Sequence, residues 1–188
     1  MIDYNISKNA EVLFVGINPH FGSYERGVPF SNNRTFWYLL SDAGMIKETR
    51  EVIKEDYRLK NLYNKIDKIY KINFINLIDR PSKDISDLRK NEEKPGVYRL
   101  NKIIRKMKPR VVCFIGKITY MKFSNDKNFK FGLQKDLYRS KVYVMHFPLR
   151  GYANIRIKEL RAVKKLSKSS SRHKIHFIPG PEKMNQIN

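Results

Sequence analysis

Cysteine is almost absent: Cys113 stands alone in 188 residues. That excludes an intrachain disulfide, a cysteine-held zinc site and a four-cysteine iron–sulfur cluster. It fits a reducing compartment. Acids are also scarce, with 18 Asp and Glu against 39 Lys and Arg, for a formal net charge of +21. A genome rich in Lys, Ile and Asn codons would supply the bases but would not remove the acids. A field of this sign gathers phosphates and steers association with nucleic acid or an anionic membrane. No run approaches the roughly 18 apolar residues of a membrane span, and the opening MIDYNISKNAEVLF has no secretory pattern. A soluble intracellular protein without a membrane partner is expected.

The length suits one domain with one core. Four short apolar runs read as buried strands: EVLFVGI (11–17), INFINLI (72–78), RVVCFIG (110–116) and KVYVMHF (141–147). They alternate little, as in a sheet covered on both faces. Apolar stripes at helical spacing lie around them. Phe36, Leu39, Leu40 and Ala43 form one, and Leu59, Leu62, Ile66 and Ile69 a second. Leu100, Ile103, Ile104 and Met107 form a third, and Ile157, Leu160 and Val163 a fourth, the last two backed by Arg and Lys. The expected fold is a single α/β domain over residues 1–166, with a mainly parallel four-stranded sheet flanked by helices on both faces. The segment from 167 to 188 is polar, Ser-rich and basic and reads as a mobile tail, with a short ordered patch around 175–178.

In such sheets ligands bind at the carboxyl ends of the strands. The first strand leads into GINPHFGSYERGVPFSNNRTFW (16–37), a long loop punctuated by Gly and Pro. It lacks the Lys-Ser/Thr of a P-loop and the glycine spacing of a dinucleotide fold. The second strand leads into NLIDRPSKDISDL (76–88), the third into IGKITYMKF (115–123), where Gly116 opens a helix, and the fourth into MHFPLRGYANI (145–155). Small, polar or basic residues at all four ends can converge on one anionic ligand. Asp79, Asp84 and Asp87 share one loop without acids from other strand ends, which argues against a metal-dependent nucleotide hydrolase.

Four of these motifs, in order, resemble the mismatch-specific uracil/thymine DNA glycosylases. They are Gly16-Ile17-Asn18-Pro19 with Gly27-Val28-Pro29-Phe30 and Phe36-Trp37, then Asn76-Leu77-Ile78-Asp79-Arg80-Pro81-Ser82, then Ile115-Gly116-Lys117, then Phe131-Gly132-Leu133-Gln134. The resemblance spans about residues 10–165 and implies hydrolysis of the N-glycosidic bond of a flipped-out uracil, leaving an abasic site. It implies that Asn18 positions the attacking water, that Ile17 and Phe30 line the base site with Phe30 stacking on the base, and that Asn76 reads its edge. An amide whose carbonyl accepts from uracil N3–H and whose NH₂ donates to O4 meets the reverse pattern in cytosine. Ser82 and Lys117 fall where DNA contacts are implied. Each residue has a plainer reading: Asn18 as a turn residue, Phe30 as a loop anchor, Asn76 as a strand-end cap.

The last motif departs from the mismatch pattern. His146-Phe147-Pro148-Leu149-Arg150-Gly151 stands where that family has Asn-Pro-Ser-Gly. Its leading histidine is similar to that of the single-strand-selective and classical uracil glycosylases, where it donates to uracil O2, a role open to a neutral imidazole; the plainer reading is a satisfied strand-end histidine. Leu149, Arg150 and Tyr152 occupy the place of the DNA-intercalating wedge, and the sequence does not choose among them. His20 replaces a glycine of the mismatch family. A ring there would exclude the 5-methyl of thymine, which favours uracil.

The expectation is a monofunctional, cofactor-free and metal-free glycosylase. It would act as a monomer on DNA containing uracil or another deaminated base, in the cytoplasm on the nucleoid or in a nucleus. A nucleic-acid-binding protein that kept the fold and lost the reaction is the rival, supported by the altered last motif. Uracil against hypoxanthine, and single against double strands, stay open at this level.

Overall fold

A computed structural model describes residues 2–149 and 151–169. The wedge candidate Arg150 and the expected tail patch around 175–178 lie outside the described residues. Five strands form one sheet: β1 (Val12–Gly16), β2 (Ile72–Asn76), β3 (Val111–Ile115), β4 (Gly132–Leu137) and β5 (Ser140–Met145), in the order β2-β1-β3-β5-β4. The four apolar runs are the parallel members, and β4 pairs antiparallel with β5 at the edge.

The sheet therefore has one strand more than the four expected. The sequence GLQKDL of β4 has no fully buried residue, whereas β1, β2 and β3 are buried throughout. An edge strand with one neighbour needs no apolar run, so hydrophobicity alone does not reveal it.

Helices cover both faces. Alternate strand residues point to opposite sides. Val12, Phe14 and Cys113 pack with Trp37, Leu40, Leu160 and Val163, from α2 (Thr35–Asp42) and α8 (Ala153–Lys168). Leu13, Val15, Val112 and Phe114 pack with Leu100 and Ile104 of α6 (Lys94–Met107), joined by Tyr120 and Phe123 of α7 (Lys117–Ser124). The second expected stripe is divided between α4 (Asp56–Tyr63) and α5 (Ile66–Ile69), which leaves Ile69 exposed. Two short helices, α1 (Phe21–Arg26) and α3 (Arg50–Lys54), complete the described elements with a single 3₁₀ turn, Ile85–Asp87. The helix α8 runs to Lys168, past the expected boundary at residue 166.

The chain passes from β1 to β2 on one side and returns to place β3 on the other. This reversal opens a crevice at the carboxyl ends of β1 and β3. The start of α6 sits flush against the loop after β2. A side chain at Gly96 would lie 1.6 Å from the Leu77 carbonyl oxygen, so only glycine permits the approach.

Candidate active site

A cavity of about 620 Å³ opens at the strand ends, lined by residues of all four expected loops. Ile17, Asn18, His20 and Phe30 come from the loop after β1, and Asn76 from the end of β2. Gly116 and Lys117 follow β3, and His146 and Leu149 follow β5. The long first loop is fixed from beneath. The buried Trp37 indole donates to Pro29 O at 2.8 Å, Lys60 Nζ to Gly27 O at 2.7 Å, and Arg26 Nη1 to Ser31 O at 2.9 Å.

At the β2 end, Asn76 is 2% exposed. Its Nδ2 donates to the Tyr4 hydroxyl at 2.7 Å, while its buried Oδ1 has no hydrogen-bond partner among the described residues. Such an orphan acceptor costs about 1–3 kcal/mol unless a ligand satisfies it. Gly16 makes room for it: a Cβ there would stand 2.3 Å from Asn76 Oδ1 and 2.6 Å from Phe30 Cε1. Phe30 itself adopts φ 56°, a left-handed conformation unfavourable for an aromatic residue. Its ring leans on Phe36 and Phe74. The amide edge and the aromatic face thus meet over one glycine.

Tyr4 was not foreseen. It belongs to a segment laid beside β2 by Asn73, whose Oδ1 accepts from Ser7 N at 3.2 Å and whose Nδ2 donates to Asn5 O at 3.1 Å. Burial pushes the Tyr4 phenol well above its ordinary range, so it is a neutral hydroxyl. Arg99, bound to the Asp79 carboxylate, also donates to the backbone carbonyl oxygen of Asn76 at 2.9 Å, away from Oδ1.

Asn18 is oriented by its amide nitrogen. Nδ2 donates to Ser82 Oγ at 2.8 Å and to Pro19 O at 3.1 Å, which uses both hydrogens. The oxygen is left as the free end, able to accept from a water. Ser82, expected on the DNA surface, is instead 4% exposed. Its hydroxyl donates to Asp84 O at 2.7 Å and holds Asn18. His20 caps α1, its Nδ1 accepting from Gly22 N at 3.2 Å. The bond assigns the ring proton to Nε2 and fixes the ring at the cavity wall.

At the β5 end, His146 meets Glu159 of α8. The imidazole Nδ1 lies 2.6 Å from Glu159 Oε1, and the His146 backbone N–H donates to Oε2 at 3.1 Å. Phe131 stacks on the imidazole with 3.6 Å between centroids. The pairing of β4 with β5 delivers it there, which explains the placing of the Phe131–Gln134 motif. Arg156, 5% exposed, donates to Phe147 O at 3.3 Å and Tyr152 O at 3.4 Å and ties the last loop to α8. It lies 3.1 Å from where a Cβ of Gly151 would stand.

Lys117 and Leu149 stand exposed at the rim. Tyr152 is exposed at the start of α8 but does not line the cavity. Sequence reading missed Glu159 and Arg156 as well as Tyr4. The available signal was spacing: Arg156, Glu159 and Val163 share the buried stripe of a helix otherwise backed by cations.

The fold and cavity define an α/β domain whose strand ends present two side-chain amides, an aromatic ring and a histidine–carboxylate pair to one cavity. The family model of the Uracil DNA glycosylase superfamily matches residues 4–179. The chain belongs to that superfamily, and with it come a glycosylase type of hydrolysis and DNA as the substrate.

Proposed function

We propose that this protein excises uracil from DNA by hydrolysing its N-glycosidic bond, with the mismatch-specific glycosylases as the subgroup its first three strand-end motifs resemble. The observation that carries the reading is Asn76: a buried carbonyl oxygen without a partner, held by Tyr4 and aimed beside Phe30. A base with an N–H flanked by carbonyls satisfies it, as uracil N3–H does. Cytosine offers a lone pair at that position and would leave two acceptors face to face. Phe30 stacks on the base, worth about 1–3 kcal/mol. Asn18 holds the water, which suffices for a sugar already close to an oxocarbenium ion. His146 faces the base from the other side. Three strand spacings separate β2 from β5, roughly 14 Å between strands, and two side chains reaching inward leave about the width of a pyrimidine.

Leu149, exposed at the rim, is the wedge that fills the gap in the duplex, with Lys117 on a phosphate. A monofunctional enzyme needs no lysine nucleophile. The protein works as a monomer wherever the cell keeps its DNA. The test is a uracil-containing oligonucleotide incubated with the protein and then treated with alkali. Strand cleavage at the uracil is expected. An intact strand would favour a binding protein that kept the fold and lost the reaction.

A further inference from the structure

His146 and Glu159 carry an inference that rests on the glycosylase reading but concerns the proton the reaction uses. A neutral imidazole has one N–H. With Glu159 Oε1 2.6 Å from Nδ1, that proton lies between Nδ1 and the carboxylate. Nε2 of a neutral ring beside a carboxylate then presents a lone pair to the cavity, which repels a base carbonyl. Glu159 is buried, 8% exposed, and its other oxygen already accepts the His146 backbone N–H.

The geometry points to the His146–Glu159 pair acting as one unit, in which Nε2 donates to the leaving base only while the pair holds two protons. Glu159 is thus a positioning residue, acting through His146. In the reaction the C1′–N bond breaks and its electron pair stays on the base. The base carbonyl takes the Nε2 proton, and the pair keeps the other between Nδ1 and Glu159. Water adds its oxygen to C1′ and releases one proton, which restores the pair from solvent. Nothing is oxidised or reduced.

The surroundings of the pair suit this. Phe131 covers the imidazole face, where an aromatic ring favours a cation. Other charged or titratable groups around the cavity are Arg156 of α8, Lys117 of α7, and Lys83 and His20 on the loops after β2 and β1. Beneath the pair, Tyr143 of β5 and Cys113 of β3 are both pushed up, first by burial and then by the Glu159 charge, Tyr143 to about 12. They stay neutral and do not compete for the role.

Two measurements on the full chain test the proposal. Single-turnover uracil excision is followed from about pH 5.5 to about pH 9, spanning the ordinary histidine range. The natural protein is expected to lose activity as pH rises, by about tenfold per pH unit once the pair has lost its second proton. In Glu159→Gln the amide can donate to Nδ1 and leave a neutral ring with the proton on Nε2, so the alkaline loss should vanish. A natural rate that climbs with pH, or an equal decline in both proteins, would overturn the proposal. Nitrogen NMR of the histidine rings, with His146→Gln for assignment, gives the second readout. At the alkaline end Nδ1 should carry a proton in the natural protein, and Nε2 should carry it in Glu159→Gln. A bare Nδ1 with a protonated Nε2 in the natural protein would contradict the pairing. If no uracil is excised at all, the glycosylase reading fails while the NMR result still decides the chemistry of the pair.

Discussion

The two ends of the cavity are built from different chemistry. At the β2 end the groups that face the cavity or hold those that do are uncharged: the buried Asn76 amide, the half-buried Tyr4 hydroxyl held in its neutral form, and the half-buried Phe30 ring. At the β5 end a partly exposed imidazole is joined to a buried carboxylate. A neutral, fixed end can read the pattern of donors and acceptors on a base, because nothing in it titrates near neutral pH. A titratable end can supply the proton that departure of the base requires. On the proposed reading, recognition and proton supply are separated across the sheet, with Asn18 between them just after β1.

The comparison can be broken most severely at the neutral end. Gly16→Ala would put a methyl 2.3 Å from Asn76 Oδ1 and displace both it and Phe30. Uracil excision is expected to fall by roughly 100-fold or more, as misplacement by about 1 Å commonly costs. Single-turnover kinetics alongside a thermal melt measure it. An unchanged rate would mean that the amide does not read the base.

Asn18→Ala tests the group between the two ends. The rate should drop by about 100-fold while affinity for undamaged DNA stays within about twofold, because water positioning acts in the transition state and phosphates carry ground-state binding. Equal losses of rate and affinity would assign Asn18 a structural role.

Tyr4→Phe sharpens the neutral end. It removes one hydrogen bond to the Asn76 amide, worth about 1 kcal/mol, or roughly fivefold in rate. Because the freed amide can rotate, selectivity for uracil over cytosine should fall more than stability does. A melt that drops with selectivity intact would make Tyr4 a packing residue only.

The smallest effect is a gain. The natural protein should act on U·G and ignore T·G, and His20→Gly should acquire weak thymine excision. Glycine is the cleaner replacement, because His20 caps α1 and glycine costs only a few tenths of a kcal/mol at that position whereas alanine costs about 1. Efficient T·G excision by the natural protein would show that the imidazole does not shield the methyl site.

How much of this was legible in the sequence follows from the same contrast. The four parallel strands announced themselves as apolar runs because both faces of each are covered. Asn18, Asn76 and His146 sit within or next to those runs, so strand ends located them together, while Phe30 lies farther along the first loop and was located by its motif. What holds them comes from elsewhere in the chain. Tyr4 reaches Asn76 across 72 residues, Ser82 reaches Asn18 across 64, and Glu159 reaches His146 from the opposite side of a loop. Such partners carry no local pattern, since their meaning is set by the order of strands in the sheet. For the same reason Ser82 read as a DNA contact, and β4, polar and at the edge, went unassigned.

The most direct test of the account is a lesion panel. Oligonucleotides identical except for uracil, hypoxanthine, thymine or cytosine at one position are treated with the natural protein and then with alkali, under single-turnover conditions. The account predicts cleavage at uracil, none at cytosine, and none at thymine. Cleavage at cytosine comparable to that at uracil would contradict the reading of the Asn76 carbonyl as the selective acceptor. No cleavage at any base would contradict the catalytic reading itself.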